Sequence, residues 1–247
     1  MASDAALAAE LAAEAGALLL KIRESGEFEG KALGAAGDEQ ANRLLIDKLR
    51  ELRPDDAILS EEEKDNAERL SASRVWIIDP LDGTREYGEG RTDWAVHVAL
   101  AIDGRAEVGA VALPGLALTL NTGAPPALSP MAATPRMLVS RTRPAAEAVA
   151  VAERIGAELV PMGSAGAKAM AVVRGEDDIY LHTGGQYEWD SCAPVAVAQA
   201  AGLHVSRIDG SPMAYNQADV YLPDLLICHK HVADRLLTLI REIAVAA

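Results

Sequence analysis

Leucines and isoleucines recur every three to four residues near the start of the chain, and short β-branched runs take over further in. Leu7, Leu11, Leu18 and Ile22 keep one face of a helix over residues 4–25, which Ser3 or Asp4 can cap and Ser25-Gly26 ends. The Gly-rich stretch from Glu27 to Gly37 reads as a loop. A second helix follows from about Glu39 to Arg53, with Leu45, Leu49 and Leu52 as its stripe, Asp38 at its N-cap and Arg53-Pro54 as its stop. Ala57-Ile58-Leu59 is a short strand. A longer apolar run, Val75-Trp76-Ile77-Ile78, leads into the turn Asp79-Pro80-Leu81-Asp82-Gly83-Thr84. Strand patterns then cover Trp94 to Ile102, Arg105 to Leu113 and Ala117 to Asn121. Asp103-Gly104 is a hairpin signal between the first two, so this part reads as an antiparallel meander.

Beyond the Pro-rich piece from Thr122 to Pro135 the pattern changes to alternating strands and helices. Strands are expected at Met137–Val139, Leu159–Pro161, Ile179–His182, Leu203–Val205 and Leu225–Cys228. Helices are expected at Pro144–Ile155, Ala165–Val173, Ser191–Ala201 and His231–Val245. The chain thus reads as α/β overall, with an α+β first half and an α/β second half. The expected division is an N-terminal subdomain over 1–125, a connector over 126–135 and a C-terminal subdomain over 136–247, with a cleft between the halves.

Half of the 247 residues are apolar and the net charge is -14, which argues against a nucleic-acid polymer or an anionic membrane as partner. A small phosphate ester stays compatible, provided that metal ions reverse the local sign. Cys192 and Cys228 are no disulfide framework and suit a reducing cytoplasm. Asp4, Glu10 and Glu14 stand where a secretion signal would carry Lys or Arg, so no leader is expected. No apolar run reaches the roughly 18 residues that a membrane span needs.

The turn at 79–84 carries two carboxylates around a proline at a strand end, an arrangement that can hold a hard divalent cation. Gly83 and Thr84 then offer backbone N–H groups suited to a phosphate. The same residues also suit an ordinary turn after a buried strand. Glu61, in the charge run after the first short strand, can face this turn if the two strands are neighbours; otherwise it belongs to a solvated loop. Asp190 precedes the Ser191 helix, where capping is its simplest role. Together Glu61, Asp79, Asp82 and Asp190 would make an oxygen-only site that favours Mg²⁺ over Zn²⁺. Gly163-Ser164-Ala165-Gly166 opens the helix carrying Lys168 and can accept an anion or simply start a helix. Arg141 and Arg143, in Ser140-Arg141-Thr142-Arg143, can hold a second phosphate or be surface charge. His97 reads as a satisfied core or face residue. The haloacid-dehalogenase signature is excluded because Pro80 occupies its nucleophile position, and Leu81 and Gly83 break an EF-hand. Neither a Gly-x-Ser-x-Gly elbow nor a Walker A motif occurs.

Taken together, Trp76-x-x-Asp79-Pro80-x-Asp82-Gly83-Thr84, Glu61-Glu62 upstream, and Trp189-Asp190 before the helix ending Ala200-Ala201-Gly202 resemble the inositol monophosphatase superfamily. Leu59-Ser60-Glu61-Glu62, Ser140-Arg141-Thr142-Arg143, Gly163-Ser164 with Lys168, and Gly184-Gly185-Gln186-Tyr187-Glu188-Trp189-Asp190 resemble its CysQ-type 3'(2'),5'-bisphosphate nucleotidases, particularly actinobacterial ones. Asp209-Gly210-Ser211-Pro212 with Tyr215-Asn216 fits as well. Ser60 departs from the usual Gly before the Glu pair. His182 stands where inositol monophosphatases place a substrate-binding Glu, and Ser-Arg-Thr-Arg replaces Ser-Arg-Ser-His.

The resemblance implies a layered α-β-α-β-α sandwich and a phosphomonoesterase that uses metal-activated water. It implies that Glu61, Asp79, Asp82, Asp190 and the Leu81 carbonyl hold two or three Mg²⁺ ions, and that Asp38 and Thr84 form a proton-accepting pair. Gly83 and Thr84 would hold phosphate oxygens, and Arg141, Arg143, Ser164, Lys168 and His182 would contact the substrate. The implied reaction turns 3'-phosphoadenosine 5'-phosphate into AMP and phosphate, a step in sulfur metabolism, with sensitivity to Li⁺. Hydrolysis of inositol 1-phosphate or fructose 1,6-bisphosphate is the alternative, and a non-catalytic phosphate-binding paralogue is a third reading. The resemblance leaves both monomer and homodimer open.

Overall fold

Alternation along the strands sorts the core into three sheets of contact, and these stack the chain into five layers. The computed structural model describes residues 2–246. Helix α1 (Asp4–Ser25) is capped by Ser3, whose Oγ accepts from the Ala6 N–H at 3.2 Å, and ends at Gly26 with φ 69°. Helix α2 (Gly30–Leu52) starts well before the expected Glu39. The glycines that read as a loop are packing residues of this helix. A Cβ at Gly34 would stand 2.6 Å from Thr84 Cγ2, and one at Gly37 would stand 2.9 Å from Leu19 Cδ2. They let α2 lie against the turn at 79–84, and Asp38 is a mid-helix residue rather than an N-cap.

The first sheet runs β1 (Ala57–Ser60), β2 (Arg74–Asp82), β3 (Ala95–Ile102), β4 (Arg105–Leu113) and β5 (Leu118–Asn121) in that spatial order. β1 and β2 are parallel and the rest is the expected antiparallel meander. The β3–β4 turn has positive φ at Asp103 (48°) and Gly104 (76°), the backbone a tight primed hairpin requires. The β2–β3 ladder slips between the pairs Asp79–His97 and Asp82–Ala95, and Pro80, which has no N–H to donate, lies in the slip. A short helix, α3 (Thr84–Gly88), follows.

The second half supplies β6 (Arg136–Ser140), α4 (Ala146–Ile155), β7 (Glu158–Met162), α5 (Ala165–Val173), β8 (Ile179–His182), β9 (Gln186–Tyr187) and α6 (Glu188–Ala200). Then come β10 (His204–Ser206), β11 (Tyr221–Leu222), β12 (Leu225–Cys228) and α7 (Lys230–Ala246). The second sheet has the order β10-β12-β8-β6-β7. β9 and β11, absent from the sequence reading, pair antiparallel as Tyr187 with Tyr221; two residues are too short to show a period. α6 begins at Glu188 rather than Ser191, which puts Asp190 in its first turn instead of at its cap.

One face of the first sheet (Trp76, Ile78, Val96, Val98, Leu100) packs on α1 and α2. The other (Val75, Ile77, Ala95, Ala99, Val111) packs on α5 and α6, whose far side meets Leu138, Tyr180 and Ile227 of the second sheet. Met137, Val139, Ile179 and Leu226 face outward under α4 and α7. The layers are therefore α-β-α-β-α, as the resemblance implied. Near-continuous apolar runs give the central strands β2 and β3 two apolar faces, so they are buried on both sides.

Candidate active site

Two carboxylates of one turn and a third from more than a hundred residues later meet where β2 ends. Asp79, Asp82 and Asp190 each offer a carboxylate oxygen within 4.8 Å of the others. The parallel pairing of Ser60 with Ile78 brings the next residue, Glu61, beside Asp79. Asp190 arrives from the first turn of α6, where its Oδ2 accepts from the Tyr187 N–H at 2.6 Å.

Asp82 is held by the other half of the chain. Its Oδ2 accepts from Ser164 Oγ at 2.5 Å and from the Gly166 N–H at 2.6 Å, while its Oδ1 accepts from the Ala165 N–H at 3.2 Å. The N-terminus of α5, read from the sequence as a place for a substrate anion, is therefore occupied by the protein's own carboxylate. Ser164 adopts φ 50°, ψ 132° to make this contact, a strained backbone for a residue with a side chain. His97 completes the cradle. It is fully buried, its Nδ1 lies 3.0 Å from the Trp189 carbonyl, and its Nε2 lies 3.2 Å from Asp82 Oδ2. A Cβ at position 166 would stand 2.0 Å from that Nε2, so only glycine fits there. Nδ1 is paired with the Trp189 carbonyl, whereas Nε2 is close to Asp82 without hydrogen-bond geometry. Burial opposes a charge on the ring, but the nearby Asp82 carboxylate outweighs it and raises the His97 pKa.

These surroundings split the carboxylates. Burial alone would raise Asp82, yet His97, Ser164 and Gly166 bring it down to about 2. Asp79, fully buried beside Glu61, Asp82 and Asp190, is raised well above the ordinary carboxylate range by burial and then by their charges. Glu61 is raised to about 7 by burial, with Asp190, Asp82 and Glu62 adding repulsion, and Asp190 to about 6 by burial and Asp82. The nearby Lys168 does not neutralise the cluster: its Nζ donates to the Ser164 and Gly163 carbonyls at 2.6 and 3.2 Å. Asp82 has His97 as its counter-charge, but Asp79, Glu61 and Asp190 have none, and such a crowd of hard oxygen donors fits a hard divalent cation.

Asp38 on α2 faces Thr84 at the start of α3, Oδ1 to Oγ1 at 3.5 Å, and the one Thr84 hydroxyl proton has the Leu81 carbonyl as its nearer acceptor at 3.0 Å. Burial, with repulsion from Glu62 and Glu61, raises Asp38 to about 8. The Leu81 side chain is fully buried, and its carbonyl keeps a second lone pair. Gly83 has φ 86° and is the N-cap of α3, where N–H groups lack helical partners.

The other expected substrate residues are more occupied than the sequence suggested. Arg141 bonds Glu86 and Glu89, each at 2.6 Å, and so ties the second half to α3. Arg143 is exposed and makes no ion pair among the described residues. Ser164 serves Asp82, and His182 Nε2 lies 2.9 Å from the Gly185 carbonyl. His97, read from the sequence as a core or face residue, is buried as expected, and its contact with Asp82 is what the sequence did not show. Its signal was a polar residue in the apolar strand Ala95-Val96-His97-Val98, but its partner lay in a sequence-distant turn.

The profile of the inositol monophosphatase family matches residues 2–244. The chain is 53% identical to the 3'-phosphoadenosine 5'-phosphate phosphatase of Mycobacterium leprae, over 98% of this chain and 94% of the relative. It is 31% identical to the 3'(2'),5'-bisphosphate nucleotidase CysQ of Escherichia coli, over 76% and 81% of the two chains. The fold is similar to that of CysQ from Bacteroides thetaiotaomicron, with TM-score 0.78, 23% identity and coverage of 92% and 97%. It is equally similar to that of the Thermotoga maritima IMPase, with TM-score 0.78, 21% identity and coverage of 96% of each chain.

Proposed function

This chain belongs to the inositol monophosphatase family, and from that premise we propose that it hydrolyses 3'-phosphoadenosine 5'-phosphate to AMP and phosphate with Mg²⁺. The observation that carries the reaction class is the convergence of Asp79, Asp82 and Asp190, whose carboxylate oxygens lie within 4.8 Å of one another. The substrate is carried by the relatives at 53% identity, which bear that activity in their names.

Asp79, Asp82, Asp190, Glu61 and the Leu81 carbonyl would hold two or three Mg²⁺ ions. Bound there, the metal supplies a lowered pKa for water and stabilisation of the leaving oxygen. The residues do the rest. Asp82 is ionised before any metal arrives, because its charge is already balanced by His97 and the α5 N–H groups. Asp79, Glu61 and Asp190 release their protons on binding, so affinity for the cation rises with pH. Thr84 Oγ1 would take a proton from the attacking water as it gives its own to Asp38 Oδ1, whose carboxyl, raised to about 8, has the proton affinity of a base near neutral pH. The Gly83 and Thr84 N–H groups orient phosphate oxygens, and Arg143 is free to meet a second phosphate. No carboxylate of the cluster is left over as a nucleophile, so no phosphoenzyme is formed.

The test is phosphate release from 3'-phosphoadenosine 5'-phosphate, inositol 1-phosphate and fructose 1,6-bisphosphate side by side with Mg²⁺. The adenosine bisphosphate is expected to have the highest kcat/KM. A higher value for either of the others would overturn the proposal.

A further inference from the structure

We propose that Tyr187 and Trp189, with Tyr221 beside them, form the platform on which the substrate's nucleobase stacks; this rests on the nucleotide-phosphatase reading above. The chain is poor in aromatics, and most are buried. Tyr187 and Tyr221 are the exposed ones among the described residues, at 46% and 47%. They stand together. The Tyr187 and Trp189 rings are nearly parallel, 15° apart with centroids at 5.0 Å, and Tyr221 meets Tyr187 edge-on at 6.0 Å. One face of Tyr187 is thus stacked on Trp189, while the side chain as a whole remains half in water.

The platform is tied to the reaction centre through its backbone. The Tyr187 N–H bonds Asp190 Oδ2, one helical turn or about 5 Å along the axis from it. The Trp189 carbonyl lies 3.0 Å from His97 Nδ1, and that ring also contacts Asp82. The β9–β11 pairing sets Tyr221 opposite Tyr187. A Cβ at Gly185 would stand 2.2 Å from Tyr221 Oη, so the loop before β9 must be bare for Tyr221 to lie there. A planar base adds one more layer to this stack, whereas inositol and fructose phosphates have no aromatic ring to add. Stacking of this kind strengthens binding roughly fivefold to a hundredfold.

Tryptophan fluorescence tests this directly. Trp76 and Trp94 are fully buried, so Trp189 is the one tryptophan within a ligand's reach. Mg²⁺-loaded protein is titrated with AMP and, separately, with ribose 5-phosphate. AMP is expected to quench the emission and to bind at least about fivefold tighter than ribose 5-phosphate. Tyr187→Ala is expected to lose roughly fivefold to a hundredfold in AMP affinity, and Tyr187→Phe, which keeps the ring, to retain it. Equal binding of AMP and ribose 5-phosphate overturns the proposal, as does an unchanged Tyr187→Ala or an equal loss in Tyr187→Phe. If the wild-type enzyme still prefers 3'-phosphoadenosine 5'-phosphate when these arms fail, only the platform falls. If it shows no such preference, the function reading falls and the platform with it.

Discussion

On the sheet side of the metal turn, Asp79 sits among other carboxylates with little but protein around it. On the α5 side, three residues later, Asp82 sits in a cradle of donors built by the second half of the chain. The sheet side is poor in counter-charge and strains toward protonation. The α5 side is saturated and fixes one negative charge permanently. The difference teaches how a family of carboxylates divides its labour: one anchors the geometry, and the others supply affinity that only a cation satisfies.

The largest effect that would sharpen this comparison is Asp82→Asn. Replacing a partner of a metal ligand typically costs about 10–100-fold, and loss of a ligand is expected to exceed that in Mg²⁺-dependent phosphate release. Retained activity would break the two-sided account. Next comes the cradle itself. Ser164→Ala removes a bond to Asp82 and the cap of α5, and is expected to lower kcat/KM about 10–100-fold and stability by about 1 kcal/mol. An unchanged kcat/KM would show that the cradle does not position Asp82.

Gly34→Ala probes the proton-handling side. The new methyl would press on Thr84 Cγ2. The roughly 1 kcal/mol that alanine contributes to a helix offsets part of the packing strain. Stability should therefore change little, while displacement of Thr84 lowers kcat by up to about 100-fold. A kcat equal to wild type would separate Thr84 from the chemistry.

Metal removal gives a pH signature. The raised carboxyls of Asp190 and Glu61 have folded values of about 6 and about 7 against ordinary values of 3.8 and 4.5. Their contribution is fully present below the ordinary values and is lost as pH rises through about 6 and about 7. The chelator-treated protein should thus melt at lower temperature at pH 8 than at pH 5.5, and Mg²⁺ should restore most of the loss at pH 8. Thermal melts at both pH values, with and without Mg²⁺, check it. The smallest effect is Arg141→Ala. The ion pairs to Glu86 and Glu89 lie partly in solvent, so only a small loss of stability is expected, read as a slight downward shift in the denaturant midpoint.

Local features of this architecture were legible in the chain. The β2 run, the Asp103-Gly104 hairpin and the α5 boundaries follow from short-range pattern, and the turn's own carboxylates could be named from spacing. The α2 start was not legible, because glycines that serve close packing against Thr84 and Leu19 look the same as glycines that make a loop. Nor was the cradle. Ser164 and Gly166 announce an anion site, and only the fold reveals that the anion is Asp82, eighty-two residues earlier for Ser164. His97 was visible as a polar residue in an apolar strand, but its neighbours Asp82 and the Trp189 carbonyl come from β2 and α6, which no local pattern relates.

The central claim is that the two aspartates of one turn are held in opposite electrostatic states, and one measurement tests it most directly. The thermal midpoints of chelator-treated Asp79→Asn and Asp82→Asn are compared with that of the chelator-treated wild type at pH 8. Asp79→Asn relieves repulsion and should melt higher. Asp82→Asn leaves His97 and the α5 donors without their anion, and should melt lower by an amount consistent with breaking a buried pair, about 3–5 kcal/mol. Shifts of the same sign in both variants would contradict the account.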